Sequence, residues 1–284
     1  VITFDQVKFA YKGQPIYEEL SLSFNGGQVL GLLGKNGSGK STLLSLVAGL
    51  NFAQNGRVTT LGFNAKQRRA EMLSQIFLLP EQYQLPAVSG KSYVAMYSPF
   101  YPGFNQQQFL SYADTFEIEL GKKLSKLSMG QQKKFLIAFG LACNCPLNLL
   151  DEPTNGLDIP SKTLFRKLIS HAADESKTFV ISTHQVKDIE KLIDHVCMIE
   201  KGELVLNQSV DDITKQLAMS ITDELDGSEL YKQEVGLGQY ACVSENRNGE
   251  PGTLDLELLF NAVLDETQSI KAVFGQSSEE RGAA

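Results

Sequence analysis

The chain predicts an α/β fold with a mostly parallel sheet, and three observations carry that expectation. Short apolar runs at 29–33, 76–79, 147–150 and 178–182 have the length and composition of strands buried on both faces. Stretches with helical patterning lie between them, near 106–116, 131–142 and 161–173. A glycine-rich turn joins the first run to a helical segment, Ser41-Thr42-Leu43-Leu44-Ser45-Leu46-Val47-Ala48.

Taken in order, residues 1–30 alternate apolar and polar through Ile2, Phe4, Val7 and Phe9, then Leu20, Leu22 and Phe24. That period predicts short antiparallel strands, with turns near Lys12-Gly13 and Asn25-Gly26-Gly27. Residues 56–62 read as a further strand at a pair edge. The run at 76–79 stops at Pro80, which has no N–H to give to a ladder. Residues of about 83–142 read as a turn-rich helical insertion. Residues 195–200 and 203–206 flank Lys201-Gly202, a hairpin turn. Beyond Val210 the chain has its own apolar positions, Leu256, Leu258, Leu259, Phe260 and Val263. The expected division is therefore a main domain over 1–209 and a small α+β accessory region over 210–284.

With 284 residues, 42% of them hydrophobic and 21% charged, the chain suits one large domain with a small appendage. No stretch approaches 18 apolar residues, so no transmembrane helix is expected, and the first residues lack the pattern of a signal peptide. The four cysteines form no Cys-x-x-Cys pair and there are only three histidines, so a zinc site is not expected and reduced cytosolic thiols are. The net charge of −7 is uneven. Residues 210–284 hold 15 acidic and 5 basic side chains, against 18 and 21 in the rest. An acidic end argues against a nucleic-acid-binding tail or an anchor on anionic lipid.

Residues 34–41, Gly-Lys-Asn-Gly-Ser-Gly-Lys-Ser, carry the chemistry. Gly34, Gly37 and Gly39 allow backbone angles that wrap consecutive N–H groups around phosphate oxygens. The helix starting near Lys40 points its positive end at the same place. Lys40 supplies a point charge to β/γ-phosphates, and the Ser41 hydroxyl suits Mg²⁺. Asn36, Ser38 and Thr42 complete the candidate nucleotide-binding loop. At 149–152, Leu-Leu-Asp-Glu puts two carboxylates at the end of an apolar strand. Asp151 suits a Mg²⁺ held through water, and Glu152 suits orienting or deprotonating an attacking water. Ser128 is a good N-cap for the helix that follows, and such a helix start can also bind phosphate.

With these motifs the chain resembles the ATP-binding subunit of an ABC transporter, over about residues 1–209. That family has a phosphate loop, a glutamine loop, a Leu-Ser-Gly-Gly-Gln signature, an Asp-Glu strand end, an Asp-containing loop and a switch histidine. They stand here, in that order, as 34–41, Pro80-Glu81-Gln82, 127–131, Asp151-Glu152, Asn155-Gly156-Leu157-Asp158 and Ser182-Thr183-His184. Tyr11 sits where the family has its adenine-stacking aromatic. The signature departs from the pattern in having Met129 for its first glycine, while Ser128, Gly130 and Gln131 are kept. In the glutamine loop, either Glu81 or Gln82 stands for the metal-facing residue.

The resemblance implies a P-loop NTPase core, an N-terminal antiparallel β subdomain and two chains sandwiching two ATP molecules with Mg²⁺. The pair is a homodimer or a pseudo-symmetric heterodimer. It implies catalysis by Glu152, Lys40 and His184, with Ser128, Gly130, Gln131 and Asp158 contributing to nucleotide contacts. It also implies an integral membrane permease as partner, docked on the helical insertion and the loop at Glu81-Gln82, at the cytoplasmic face of the membrane. The strings Pro80-Glu81, Phe100-Tyr101-Pro102-Gly103-Phe104 and Asn155-Gly156-Leu157-Asp158 are similar to those of bacitracin-type bacterial exporters. A rival reading is a soluble ABC ATPase that drives assembly of a protein complex, as in iron–sulfur cluster biogenesis. A P-loop kinase explains neither the signature nor the switch histidine.

Overall fold

The computed structural model describes residues 1–247 and 250–281. Strands β1 (Ile2–Tyr11) and β2 (Gln14–Phe24) form a hairpin. Its two turn residues, Lys12 and Gly13, have φ of 45° and 85°, as a tight two-residue turn requires. These strands are longer than the short ones expected, because register shifts such as that between Phe4 and Val7 restore the inward alternation. Strand β3 (Val29–Leu33) runs into helix α1 (Lys40–Val47). Strands β4 (Asn55–Thr60) and β5 (Phe63–Asn64) complete a four-stranded antiparallel sheet in the order β2-β1-β4-β5.

Helix α2 (Ala70–Leu73) and strand β6 (Ile76–Leu79) precede the insertion, which holds α3 (Gly90–Tyr97), α4 (Gln106–Thr115) and α5 (Met129–Ala142). Then come β7 (Leu147–Asp151), α6 (Ile159–Ala172), β8 (Thr178–Thr183), β9 (His195–Glu200) and β10 (Glu203–Ser209). The six-stranded sheet has the order β10-β9-β3-β8-β7-β6 and is parallel except for β10. The expected fold class is thus the observed one. Every residue of β3, β7 and β8 is buried. Alternate side chains feed two cores: Leu30 and Leu32 pack with α1 and the antiparallel sheet, while Val29 and Leu33 face α5 and α6. This period-two division explains the unbroken apolar runs.

Aromatic rings fasten the insertion to the sheet. Tyr93 of α3 meets Phe135 and Phe139 of α5 edge-on, with centroids 5.2 and 5.3 Å apart. Phe77 of β6 reaches Phe139 at 6.4 Å. Such pairs add about 0.5–1.5 kcal/mol each beyond the area they bury.

The C-terminal region comprises α7 (Val210–Gln216), β11 (Leu217–Thr222), β12 (Glu229–Gly236), β13 (Gln239–Glu245), α8 (Leu256–Asp265) and α9 (Thr267–Arg281). Its antiparallel sheet has the order β11-β13-β12. The Asp255 carboxylate caps α8 by accepting from the Leu258 N–H at 2.9 Å. Leu256, Leu258, Leu259 and Val263 are buried, but not in a core of their own: they share one cluster with Ile189, Ile193, Val205 and Leu206. Polar contacts follow the same seam. Leu256 N–H donates to Glu190 Oε2 at 3.0 Å, Lys271 Nζ to the Leu204 carbonyl at 3.0 Å, and Lys187 pairs with Glu257. Among the described residues no helix is long and apolar enough to cross a membrane.

Candidate active site

The carboxyl ends of β3, β7 and β8 lie side by side and open into one cleft of about 350 Å³. It is lined by Ile16, Asn36, Gly37, Gly39, Lys40, Ser41, Thr42, Glu81, Asp151, Glu152 and His184. Strand ends converge here because the loops after parallel strands all leave the sheet on one side.

The glycine-rich loop departs from β3 and ends at Gly39, the N-cap of α1, with φ 114°. A Cβ there would lie 2.7 Å from the Tyr17 hydroxyl, which itself donates to the Gly39 carbonyl at 2.7 Å. Lys40 is buried, with Nζ donating to the carbonyls of Gly34 (2.7 Å) and Lys35 (3.1 Å). Burial pushes its pKa below the usual lysine range, opposed by the carboxylates of Glu152, Asp151, Glu81 and Glu200. Ser38 Oγ is buried and has no hydrogen-bond partner among the described residues. An orphaned hydroxyl in a loop of clustered N–H groups fits a phosphate. Ser41 and Asp151 offer the hard oxygens that Mg²⁺ prefers. Among the described residues, no group of three or more His, Cys, Asp or Glu forms a cage for a metal.

Asp151 ends β7 and accepts from the Ser182 hydroxyl of β8. Glu152 follows with φ 46°, left-handed for a residue with a side chain. Three donors hold its carboxylate: Thr183 Oγ1 to Oε2 at 3.0 Å, and the His184 N–H (3.0 Å) and Nδ1 (2.7 Å) at Oε1. Its backbone N–H donates to the Ser182 carbonyl (3.0 Å) and hydroxyl (3.2 Å). Only about 3% of Glu152 is exposed, so these contacts fix a charged group out of bulk water.

Other residues singled out from the sequence lie elsewhere. Ser128 and Gln131 pair in a capping box at the start of α5: Ser128 Oγ accepts from Gln131 N–H at 3.3 Å, and Gln131 Oε1 from Ser128 N–H at 3.2 Å. A Cβ on Gly130 would lie 3.0 Å from the Gly156 carbonyl, so the signature and the Asp-containing loop run together on the surface. Asp158 caps α6, accepting from Ser161 N–H at 2.9 Å, and that hydrogen bonding lowers its carboxyl pKa. Met129 is exposed. Of the two glutamine-loop candidates, Glu81 lines the cleft and Gln82 does not. Tyr11 does not line it either; it stands edge-on to Phe9 at 4.8 Å, and its hydroxyl accepts from Asn51 Nδ2 at 2.7 Å.

Sequence reasoning passed over Ile16, Lys133 and the anchoring role of Thr183. Ile16 carries no motif. Lys133 had a signal: it occupies the buried stripe that continues through Leu136, Ile137 and Gly140 of α5.

Comparison with known proteins agrees with this geometry. A family model described as ABC transporter matches residues 17–155. The ABC transporter ATP-binding protein NatA of Bacillus subtilis (strain 168) is 30% identical over 203 residues, which is 69% of this chain and 82% of NatA. The bacitracin transport ATP-binding protein BcrA of Bacillus licheniformis is 28% identical over 240 residues, covering 81% and 78%. In fold, the chain is similar to the ATP-binding cassette MJ0796, solved as a dimeric post-hydrolysis state bound to ADP and Pi. The TM-score is 0.65 at 24% identity, over 74% of this chain and 98% of that one. The architecture is that of a P-loop NTPase. The chain belongs to the ATP-binding proteins of ABC transporters.

Proposed function

We propose that the chain is the Mg²⁺-dependent, ATP-hydrolysing motor subunit of a bacitracin-type exporter. The observation that carries this reading is the single cleft in which Lys40, Ser41, Asp151, Glu152 and His184 meet, with Glu152 anchored by three donors. Gly34, Asn36, Gly37, Ser38, Gly39 and Thr42 cradle the phosphates through the loop. Lys40 exchanges carbonyl partners for phosphate oxygens. Mg²⁺, when bound through Ser41 and Asp151 with Glu81 beside it, offsets charge on the β- and γ-phosphates. Glu152 accepts a proton from the attacking water, and His184 holds the γ-phosphate and Glu152 in register. Tyr11 stacks on adenine.

Two chains face each other across two ATP molecules. The exposed Ser128, Gln131 and Asp158 and the half-buried Gly130 of one chain meet the nucleotide of the other, which is why they stand outside the cleft of their own chain. Residues 1–209 form the motor and 210–284 the accessory region. The partner is an integral membrane permease seated on the helical insertion, which holds the chain at the cytoplasmic face of the membrane.

Steady-state hydrolysis and size exclusion with Mg-ATP test this. Glu152→Gln keeps the shape of the side chain but loses the proton acceptor. It should lower turnover at least about 10²-fold and trap a two-chain, ATP-bound species. A variant that binds ATP yet stays a single chain at all concentrations would refute the sandwich.

A further inference from the structure

Lys133 is only 5% exposed, and its Nζ donates to the Glu152 carbonyl at 2.8 Å. A buried ammonium is costly and persists where its contacts compensate it. Its neighbours are the carboxylates of Glu81, Glu152 and Asp151, which favour its charge against burial. The acceptor it chose is the backbone of a residue in an unfavourable conformation. Glu152 has φ 46°, in the left-handed region that a residue with a side chain adopts only against steric crowding. Pro153 further narrows its choice of backbone angles. Two groups clamp that residue on either side of its Cα: Ser182 takes its N–H and Lys133 its carbonyl. The direction of the Glu152 side chain follows from that clamp, because rotating the backbone would pull the carboxylate off Thr183 and His184.

We propose that Lys133 is a positioning residue for ATP hydrolysis: it holds the Glu152 carbonyl and thereby fixes the aim of the Glu152 carboxylate. Lys133 also sits five residues after Ser128 on the same helix. The first turn of that helix abuts Gly156 in the segment that follows Glu152. The signature that faces one nucleotide and the clamp on the carboxylate at the other therefore share one rigid rod. A displaced signature moves Lys133 and loosens the aim of Glu152.

This inference rests on Glu152 being the proton acceptor, so the test includes that residue. Lys133→Met keeps length and apolar stem but removes the donor. Turnover should fall at least about tenfold, with the KM for ATP within about twofold and the melting temperature within a few degrees. Lys133→Arg, which restores a cationic donor, should recover at least half of the lost turnover. In the Glu152→Gln background, Lys133→Met should cost less than about twofold more, because a residue acting through Glu152 has nothing left to position. Several results would overturn the assignment: turnover of Lys133→Met within twofold of wild type, a joint collapse of kcat, KM and melting temperature, no recovery with Arg, or multiplicative losses in the double variant. Should Lys133→Met fail to accumulate, Lys133→Gln replaces it; equal turnover in the Lys, Arg and Gln forms then overturns the proposal. Failure of the underlying reading looks different: Glu152→Gln itself would hydrolyse ATP normally.

Discussion

The two sheets that flank the seam near Ser209 solve opposite problems. In the parallel sheet, β3, β7 and β8 are buried throughout, so polar side chains survive mainly at strand ends, where they gather as a site. In the C-terminal sheet, β12 is exposed along its second half and β13 buries only its middle, Ala241, Cys242 and Val243. One sheet concentrates chemistry by excluding water from everything else. The other presents surface, and the acidic excess of residues 210–284 lies on the part of the chain able to solvate it. Yet the two are not independent bodies, since α8 buries Leu256, Leu259 and Val263 in the cluster that also holds Val205 and Leu206.

The largest expected effect isolates the first region. Lys40→Ala should lower ATP turnover at least about 10²–10³-fold while leaving far-UV circular dichroism unchanged, because it removes a preorganised charge and little packing. Turnover within twofold of wild type would break the assignment of the loop. Next, Leu259→Ala tests whether the second region shares the core of the first. Deleting a fully buried Leu costs about 2–5 kcal/mol, or about 5–15 °C in melting temperature for a chain of this size. One melting transition should shift as a whole, as with Leu149→Ala in β7. Two separate transitions, only one of them moved, would show two cores.

A smaller effect comes from pH. Burial holds the His195 pKa below 6.5, opposed by its hydrogen bond with Asn207 and the Asp212 charge. The unfolded chain therefore binds a proton that the folded chain resists, and stability is lost as pH falls below about 6.5. His195→Gln should flatten the decline of melting temperature between about pH 6.5 and 5.5, by about 1–3 °C at the lower end. Parallel declines would remove His195 from the account. Smallest of all, Lys187→Ala breaks an exposed ion pair with Glu257, three residues beyond His184. Melting should move by less than about 1 °C and turnover by less than about twofold. A larger change in turnover alone would reveal that the accessory region speaks to the switch segment.

Most of the architecture was legible in the sequence because burial on both faces leaves unbroken apolar runs, as at Val29–Leu33, and because Lys12-Gly13 and Lys201-Gly202 are strong turn signals. Asn36, Gly37, Gly39, Lys40, Ser41 and Thr42 of the loop, with Asp151 and Glu152, were legible through residue type and spacing and His184 through the family resemblance, and the structure brings these residues to one cleft. Ile16 was not, since a β-branched residue on a strand looks the same whether it faces a core or a ligand. Glu81 and Gln82 could be told apart only by the path of the chain after Pro80. The clamp of Lys133 on Glu152 spans 19 residues and ends on a carbonyl, a group with no letter in a sequence. The shared core across Ser209 was hidden for a similar reason: apolar periodicity shows that a helix such as α8 has a partner, not where in the chain that partner lies.

That shared core also sets an order of events during synthesis. Val205 and Leu206 leave the ribosome about 50–70 residues before Leu256, Leu259 and Ile270, which cover them. At roughly 5–20 residues per second, this strip of the nascent chain waits about 3–14 s for its cover. Faster elongation shortens that interval and a holding chaperone covers it, so soluble yield should depend on the rate of translation as well as on the stability of the finished protein.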